Sequence, residues 1–177
     1  MTSFALLASG PSMSQTVADS VRMMHRIAIN DAFRLCPDAD ALVATDRAWW
    51  DANPDALAFK GRKFSMNPPR TCAVERVSPA KKLGISTQSN SGLLGLHVGL
   101  TIFGWRDALL YGVDNHGTHF FGPHKKVRNT TPERFEVFRQ QWAEYAKYLP
   151  AGAIVFNATP GSTIDCFPFL DDRELAA

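Results

Sequence analysis

Apolar residues fall into short unbroken runs, separated by stretches with helical spacing. The runs cover residues 4–8, 27–29, 41–44, 108–113 and 153–156, and they are aliphatic-rich without strict alternation. A strand covered on one face alternates apolar and polar positions; a strand covered on both faces does not. The runs therefore predict strands of a parallel sheet buried between two layers. One more strand is expected around residues 62–65, inside "KGRKFSMNPP".

The intervening stretches suit helices. Residues 12–24 place Val17, Val21 and Met24 at spacings of four and three, and residues 91–105 are strongly apolar, as a buried helix is. Over residues 131–148, Phe135, Phe138, Trp142, Tyr145 and then Leu149 follow a 3-4-3-4 pattern that lines one helical face. Thr131-Pro132-Glu133 supplies a cap residue with proline in the first turn, and Leu149-Pro150 ends the segment. Strands alternating with helices predict an α/β fold: a single Rossmann-like three-layer domain over residues 1–177 with a mostly parallel sheet. The rest of residues 60–90 reads as a long loop. Residues 115–130, rich in Gly and His, read as a second one. Loops of such length in a compact domain are commonly functional.

Composition narrows the function class. A chain of 177 residues, 45% hydrophobic and 20% charged, suits one soluble domain with a real core. A net charge of +2 argues against dedicated binding of duplex nucleic acid. Lys125, Lys126 and Arg128 form one short basic cluster, which reads as a solvated loop or as a contact for an anionic substrate. Cys36, Cys72 and Cys166 are odd in number, far apart and without zinc spacing, so they read as free thiols of a reducing, cytoplasmic setting. No stretch is long and apolar enough to span a bilayer, and the first apolar run lacks the flanks of a signal peptide. The glycosylation sequons at Asn129 and Asn157 carry no weight without secretion.

Ligands of open parallel sheets bind beyond the carboxyl ends of the strands. The residues that follow the predicted strands are Ser9, Gly10, Pro11 and Ser12; Asn30 and Asp31; Thr45 and Asp46; Asp114, Asn115 and His116; and Asn157, Thr159 and Ser162. Small or polar groups at every strand end predict a binding cleft. Gly10 permits a tight turn and close approach, Pro11 fixes the turn, and Ser12 caps a helix whose N–H groups face an anion. The stretch matches neither the phosphate-loop pattern nor the dinucleotide fingerprint. In "SNSGLLGLHVGL", residues 89–100, Ser91 and Gly92 stand where another helix begins, Ser91 being a natural N-cap. His97 lies among apolar neighbours and reads as a core histidine. His116, His119 and His124, three of the five histidines, share the second long loop.

In order and spacing, "LLASGPS", "AINDAF", "NSGLLGLHVGLTIFGWRDALLYGVD" and "NATPGS" resemble the bacterial sialyltransferases of the Campylobacter type and the related 6-hydroxymethylpterin pyrophosphokinase-like family. The resemblance covers most of the chain outside residues 47–90. It implies a nucleotide-binding transferase that takes a CMP- or UDP-type sugar and passes the sugar to an acceptor hydroxyl. By position, it implies nucleotide or sugar-phosphate contacts at Ser9, Gly10, Ser12, Asn30, Ser91 and Gly92, with Pro11 and Asp31 beside them. Asn157, Thr159 and Ser162 would lie near the base or ribose. A histidine in the loop after "YGVD" would be the general base: His124 is the best match, His119 the second and His116 the third. A hydroxyl acceptor needs such a group within hydrogen-bond reach.

Three departures accompany the likeness. Ala8-Ser9 stands where the family loop has Gly-Asn. No segment matches the lid that brings tyrosines to the phosphate. Asp46 stands where the sialyltransferases present an amide, and it fits the pyrophosphokinase-like branch, in which Asp46 and Asp114 would hold Mg²⁺ against a diphosphate. The plainer reading makes Asp46 a helix N-cap before Arg47 and Asp114 part of a strand-end turn. Three readings follow: a glycosyltransferase-like enzyme, a Mg-dependent pyrophosphokinase-like enzyme, and a nucleotide-binding module without chemistry. Trp49, Trp50, Phe120 and Phe121 are open to a role in the site, the core or a homo-oligomer contact.

Overall fold

The computed structural model describes residues 2–70, 73–79, 83, 85, 90–125, 127 and 129–170; Cys72, Lys126 and Arg128 lie outside them. The elements in chain order are β1 (Ser3–Leu7), α1 (Gln15–Ser20), β2 (His25–Ile29), β3 (Ala41–Val43), α2 (Arg47–Ala52), β4 (Arg62–Ser65), β5 (Glu75–Arg76), α3 (Ser91–His97), β6 (Asp107–Tyr111), α4 (Pro132–Ala146) and β7 (Ile154–Asn157). Short 3-10 turns span Asn30–Arg34 and Pro54–Ala58, and α3 continues as a π-helical stretch over Val98–Ile102.

The seven strands among the described residues form one sheet in the order β5-β4-β3-β2-β1-β6-β7, every pair parallel. β1 is the pivot. Phe4 lies opposite His25 on one side and Ala108 on the other, so the chain winds outward in both directions from this strand. The gap between the ends of β1 and β6 is the switch point of the topology, where open α/β sheets place their ligands.

The unbroken apolar runs follow from burial on both faces. Along β1, Phe4 and Leu6 join the core that includes Leu93 and Leu96 of α3 and Trp142 and Tyr145 of α4. Ala5 and Leu7 join the opposite core, with Ala18 of α1 and Trp49 and Trp50 of α2. Each large side chain so buried contributes about 1.5–3 kcal/mol. α3 sits close to the sheet: a Cβ on Gly95 would come within 2.3 Å of Ile29 Cδ1, and one on Gly99 within 2.3 Å of the Phe4 ring.

The structure trims several expectations. The helix expected over residues 12–24 is confined to α1 and is capped by Ser14, whose Oγ accepts from Val17 N–H at 3.3 Å. Ser12 is therefore not its cap. α3 is capped one residue earlier than expected: Asn90 Oδ1 accepts from Leu93 N–H at 3.1 Å. α4 matches its predicted span closely, with Thr131 at the N-cap position. α2 and the two-residue β5 form within stretches without clear periodicity.

Trp49 and Trp50 belong to the core, 4% and 1% exposed. Their indole N–H groups donate to Asp31 at 2.9 Å and to the Ala44 carbonyl at 3.0 Å. Phe121 is exposed. His97 is the core histidine expected, its Nδ1 3.2 Å from the Tyr145 hydroxyl and its pKa lowered by burial. Burial pushes the Cys36 thiol up to about 12 and the Cys166 thiol up to about 11, so both stay protonated at neutral pH. No helix among the described residues is long and apolar enough to cross a membrane.

Candidate functional site

A cleft of about 640 Å³ opens at the carboxyl ends of the central strands. The end of β1 contributes Ala8, Ser9 and Gly10, and the end of β2 contributes Ile29 and Asn30. Asp46 and Trp49 come from the start of α2, and Asn90, Ser91 and Gly92 from the start of α3. The remaining wall is made by residues after β6, among them Gly112, Asn115, His116, His119 and His124, together with Thr131 at the N-cap of α4 and Arg134, Phe135 and Phe138 within it.

The turn after β1 is held by the chain itself. Asp114, 2% exposed, accepts from Ser12 N–H at 3.1 Å through Oδ1 and from the Ser12 hydroxyl at 2.8 Å through Oδ2. A Cβ on Gly10 would fall 2.0 Å from Asp114 Oδ2 and 2.5 Å from the Gly112 carbonyl oxygen. Gly10 is thus required by close packing across the switch point, and the Ser12 N–H is engaged by a carboxylate of the protein. The Ser9 hydroxyl donates to the Ile29 carbonyl at 2.8 Å and ties the ends of β1 and β2 together.

Ser91 links two other strand ends. Its hydroxyl accepts from Thr45 N–H at 3.1 Å and lies 2.9 Å from Thr45 Oγ1. Two non-glycine residues among those described adopt left-handed backbone, Asn30 at φ +50° and Asn115 at φ +58°, and both line the cleft. Such conformations persist where surrounding structure enforces them, and they concentrate at functional sites. Asn115 is enforced by its side chain, which donates to the Phe135 carbonyl at 3.0 Å and to Thr163 Oγ1 at 2.9 Å.

The histidines form the most distinctive part of the wall. The His119 and His124 rings lie 4.1 Å apart between centroids, tilted by 54°, and Phe121 stacks on His119 at 5.1 Å. Burial, with the neighbouring His124 adding to it, pushes His119 down to about 4. Burial also lowers His124, opposed by the negative charge of Asp31. Both rings lower their proton affinity for the same reason: a charged imidazolium loses solvation here. The backbone of His124 is clamped by Asn129, whose Oδ1 accepts from His124 N–H at 2.7 Å while its Nδ2 donates to the His124 carbonyl at 3.1 Å. His116 is exposed, its Nε2 3.3 Å from the Gly161 carbonyl oxygen.

Of the residues expected at the site, Ser9, Gly10, Asn30, Asp46, Ser91, Gly92, His116, His119 and His124 line this cleft. Pro11, Ser12, Asp31, Asp114, Asn157, Thr159 and Ser162 do not. Asp31 accepts from Trp49 Nε1 and, at 3.4 Å, from Arg34 Nε. Asn157 donates to the Ile164 carbonyl, Thr159 to the Leu110 carbonyl and Ser162 to the Val113 carbonyl. These last three brace the segment after β7. Among the described residues, no group of three or more His, Cys, Asp or Glu side chains is placed to hold a metal ion. Asp46 faces the cleft from the N-cap position of α2, whereas Asp114 turns to Ser12.

The structure adds residues that sequence reasoning left out: Asn90, Arg134, Phe135 and Phe138. The two phenylalanines stood in the helical stripe, where periodicity marks them as core.

No protein-family model, curated protein or solved structure matches this chain.

Proposed function

We propose that the cleft binds a nucleotide-activated sugar of the CMP or UDP type and that the protein transfers the sugar to an acceptor hydroxyl. The observation that carries this reading is the His119–His124 pair, uncharged at neutral pH, on the wall of a cleft bordered by Ser9-Gly10, Asn30 and Ser91-Gly92. Its volume falls within the roughly 300–1,000 Å³ typical of small-molecule sites. The motif order described above supplies the nucleotide sugar as the ligand class.

In this mechanism His124 accepts the proton of the acceptor hydroxyl through a ring nitrogen. The hydroxyl oxygen forms a bond to the anomeric carbon, and the bond from that carbon to the phosphate oxygen breaks, its electron pair leaving with the nucleotide. A lowered pKa keeps His124 in the form that accepts a proton throughout the neutral range.

Phosphoryl transfer through Asp46 and Asp114 is supported less, because the Asp114 carboxylate is already occupied by Ser12.

Thermal-shift measurements with CMP, UDP, ATP and nucleotide sugars, with and without Mg²⁺, test the reading. A ligand that binds only the native state raises its stability. A metal-independent response to CMP or UDP is expected. A response to ATP alone that requires Mg²⁺ would replace glycosyl transfer with phosphoryl transfer, and no response to any nucleotide would overturn nucleotide binding altogether. His124→Ala is expected to spare binding and abolish transfer. Binding by the wild type without transfer to any hydroxyl acceptor would make the protein a binding module.

A further inference from the structure

The apolar stripe of α4 runs through two environments. Tyr145 packs its ring edge-on to His97 at 6.0 Å, and Trp142 packs edge-on to Phe167 at 6.0 Å; both are fully buried. Phe138 and Phe135 continue the same stripe toward the N-terminus of the helix, but among the described residues neither belongs to, nor packs against, either hydrophobic core. Both are half-buried, both line the cleft, and neither ring has an aromatic partner among the described residues. One cation approaches: Arg134 Cζ lies 5.2 Å from the Phe138 ring centroid.

Half-buried phenylalanine rings on a wall of the cleft, one of them with the Arg134 guanidinium over it, keep apolar surface in contact with water until something flat and apolar covers it. Aromatic rings favour offset stacking on planar π systems, and the adjacent guanidinium adds affinity for an electron-rich ring. The strand ends across the cleft are small and polar, and they suit the sugar and phosphate portions of a ligand rather than its flat portion. Asn157, Thr159 and Ser162, the other sequence candidates for the base, are engaged with backbone carbonyls outside the cleft.

We propose that Phe135 and Phe138 are the stacking platform for the nucleobase, so that the bound nucleotide lies with its base on α4 and its phosphates toward the ends of β1 and β2. This rests on the nucleotide reading above and fixes the ligand's direction in the cleft. A ring face does not read the edge of a base, so the platform serves cytosine and uracil alike; discrimination between them falls to polar groups at the rim.

The test is isothermal titration of CMP and UDP into wild type, Phe135→Leu, Phe138→Leu and Phe138→Trp. Leucine keeps apolar volume and removes the planar face; tryptophan restores it. Each leucine variant is expected to weaken both nucleotides by about ten-fold, in line with the worth of one base–aromatic stack, and Phe138→Trp to retain wild-type affinity. Because neither residue belongs to a core, melting temperatures of the free variants are expected to stay within a few degrees of wild type. Nucleotide binding by wild type with unchanged affinity in both leucine variants would overturn the platform and leave the nucleotide reading standing. Equal loss in Phe138→Leu and Phe138→Trp would also overturn it, as would loss for one nucleotide only. No binding of either nucleotide by wild type would remove the nucleotide reading and the platform with it.

Discussion

The carboxylate of Asp114 occupies the space that a side chain on Gly10 would need, 2.0 Å from the position of its Cβ. The two residues come from opposite sides of the switch point, after β6 and after β1. The Gly10→Ala variant must push Asp114 away from Ser12 or move the Gly112 carbonyl. Overpacking of this kind costs about 1–3 kcal/mol, and the rigid backbone on one side places the expected loss at about 3 kcal/mol. Urea unfolding checks it. A loss below about 0.5 kcal/mol would mean that Asp114 swings aside freely and that the clamp on Ser12 is weak.

Asp114 itself separates a structural role from a metal-binding one. The Asp114→Ala variant leaves the Ser12 N–H without its acceptor and is expected to lose about 1–3 kcal/mol. Asp114→Asn keeps one carbonyl oxygen for that N–H, and its amide can donate to the Ser12 hydroxyl, so it should lose about 1 kcal/mol or less. Neither change is expected to make the nucleotide response depend on Mg²⁺ or cease to depend on it. A Mg²⁺-dependent shift that vanishes in Asp114→Asn would return Asp114 to the metal-holding role.

The histidine pair predicts the direction of the pH dependence. His119 titrates near 6.5 in the unfolded chain and at about 4 in the folded one. Between these values the unfolded state binds more protons, so stability rises with pH. The contribution is complete above about pH 6.5 and is lost as pH falls toward about 4. His124 and His97, both lowered by burial, add to the same trend. Melting temperatures at pH 7 and pH 5 are expected to differ, and His119→Gln should reduce the difference. An unchanged difference would show that the imidazolium of His119 is accommodated as well as the neutral ring.

Trp49→Phe isolates the buried hydrogen bond to Asp31. The indole N–H reaches this carboxylate at 2.9 Å, and Asp31 is 6% exposed. Hydrogen bonds to charged groups are worth about 1.5–3 kcal/mol, so a loss of about 2 kcal/mol is expected in urea unfolding. A neutral outcome would mean that Arg34, 3.4 Å from the same carboxylate, takes over the whole interaction.

The sheet was legible where burial on both faces forces continuous apolar runs. β1, β2, β3, β6 and β7 all stand within a residue or two of those runs, and β4 lies over residues 62–65 as expected. β5 was not legible, because Glu75 and Arg76 are both exposed and make an edge of two residues. The site was legible only as a set of strand ends. A serine or aspartate beyond a strand looks the same in sequence whether its polar atoms meet a ligand or a backbone group. Asn30 lines the cleft, whereas the Ser9 hydroxyl donates to the Ile29 carbonyl, Ser12 and Asp114 satisfy each other, and Ser162 donates to the Val113 carbonyl. Phe135 and Phe138 escaped for the opposite reason. Helical periodicity places them on the inward face of α4, but it does not reveal that the core reaches only the second half of the helix, at Trp142 and Tyr145.

The pairing of Ser3 with Asp107 means that β1 receives its second neighbour only after about a hundred intervening residues exist. During synthesis from the amino terminus, one edge of β1 waits uncovered while β2, β3 and β4 can already assemble on the other. Long-range parallel pairing of this kind slows folding and leaves an edge open to wrong partners. It also means that the cleft at the carboxyl ends of β1 and β6 has no precursor in a half-made chain. A small molecule that fits there would act as a reporter of completed folding and, by mass action, as a brake on opening of the β1–β6 seam.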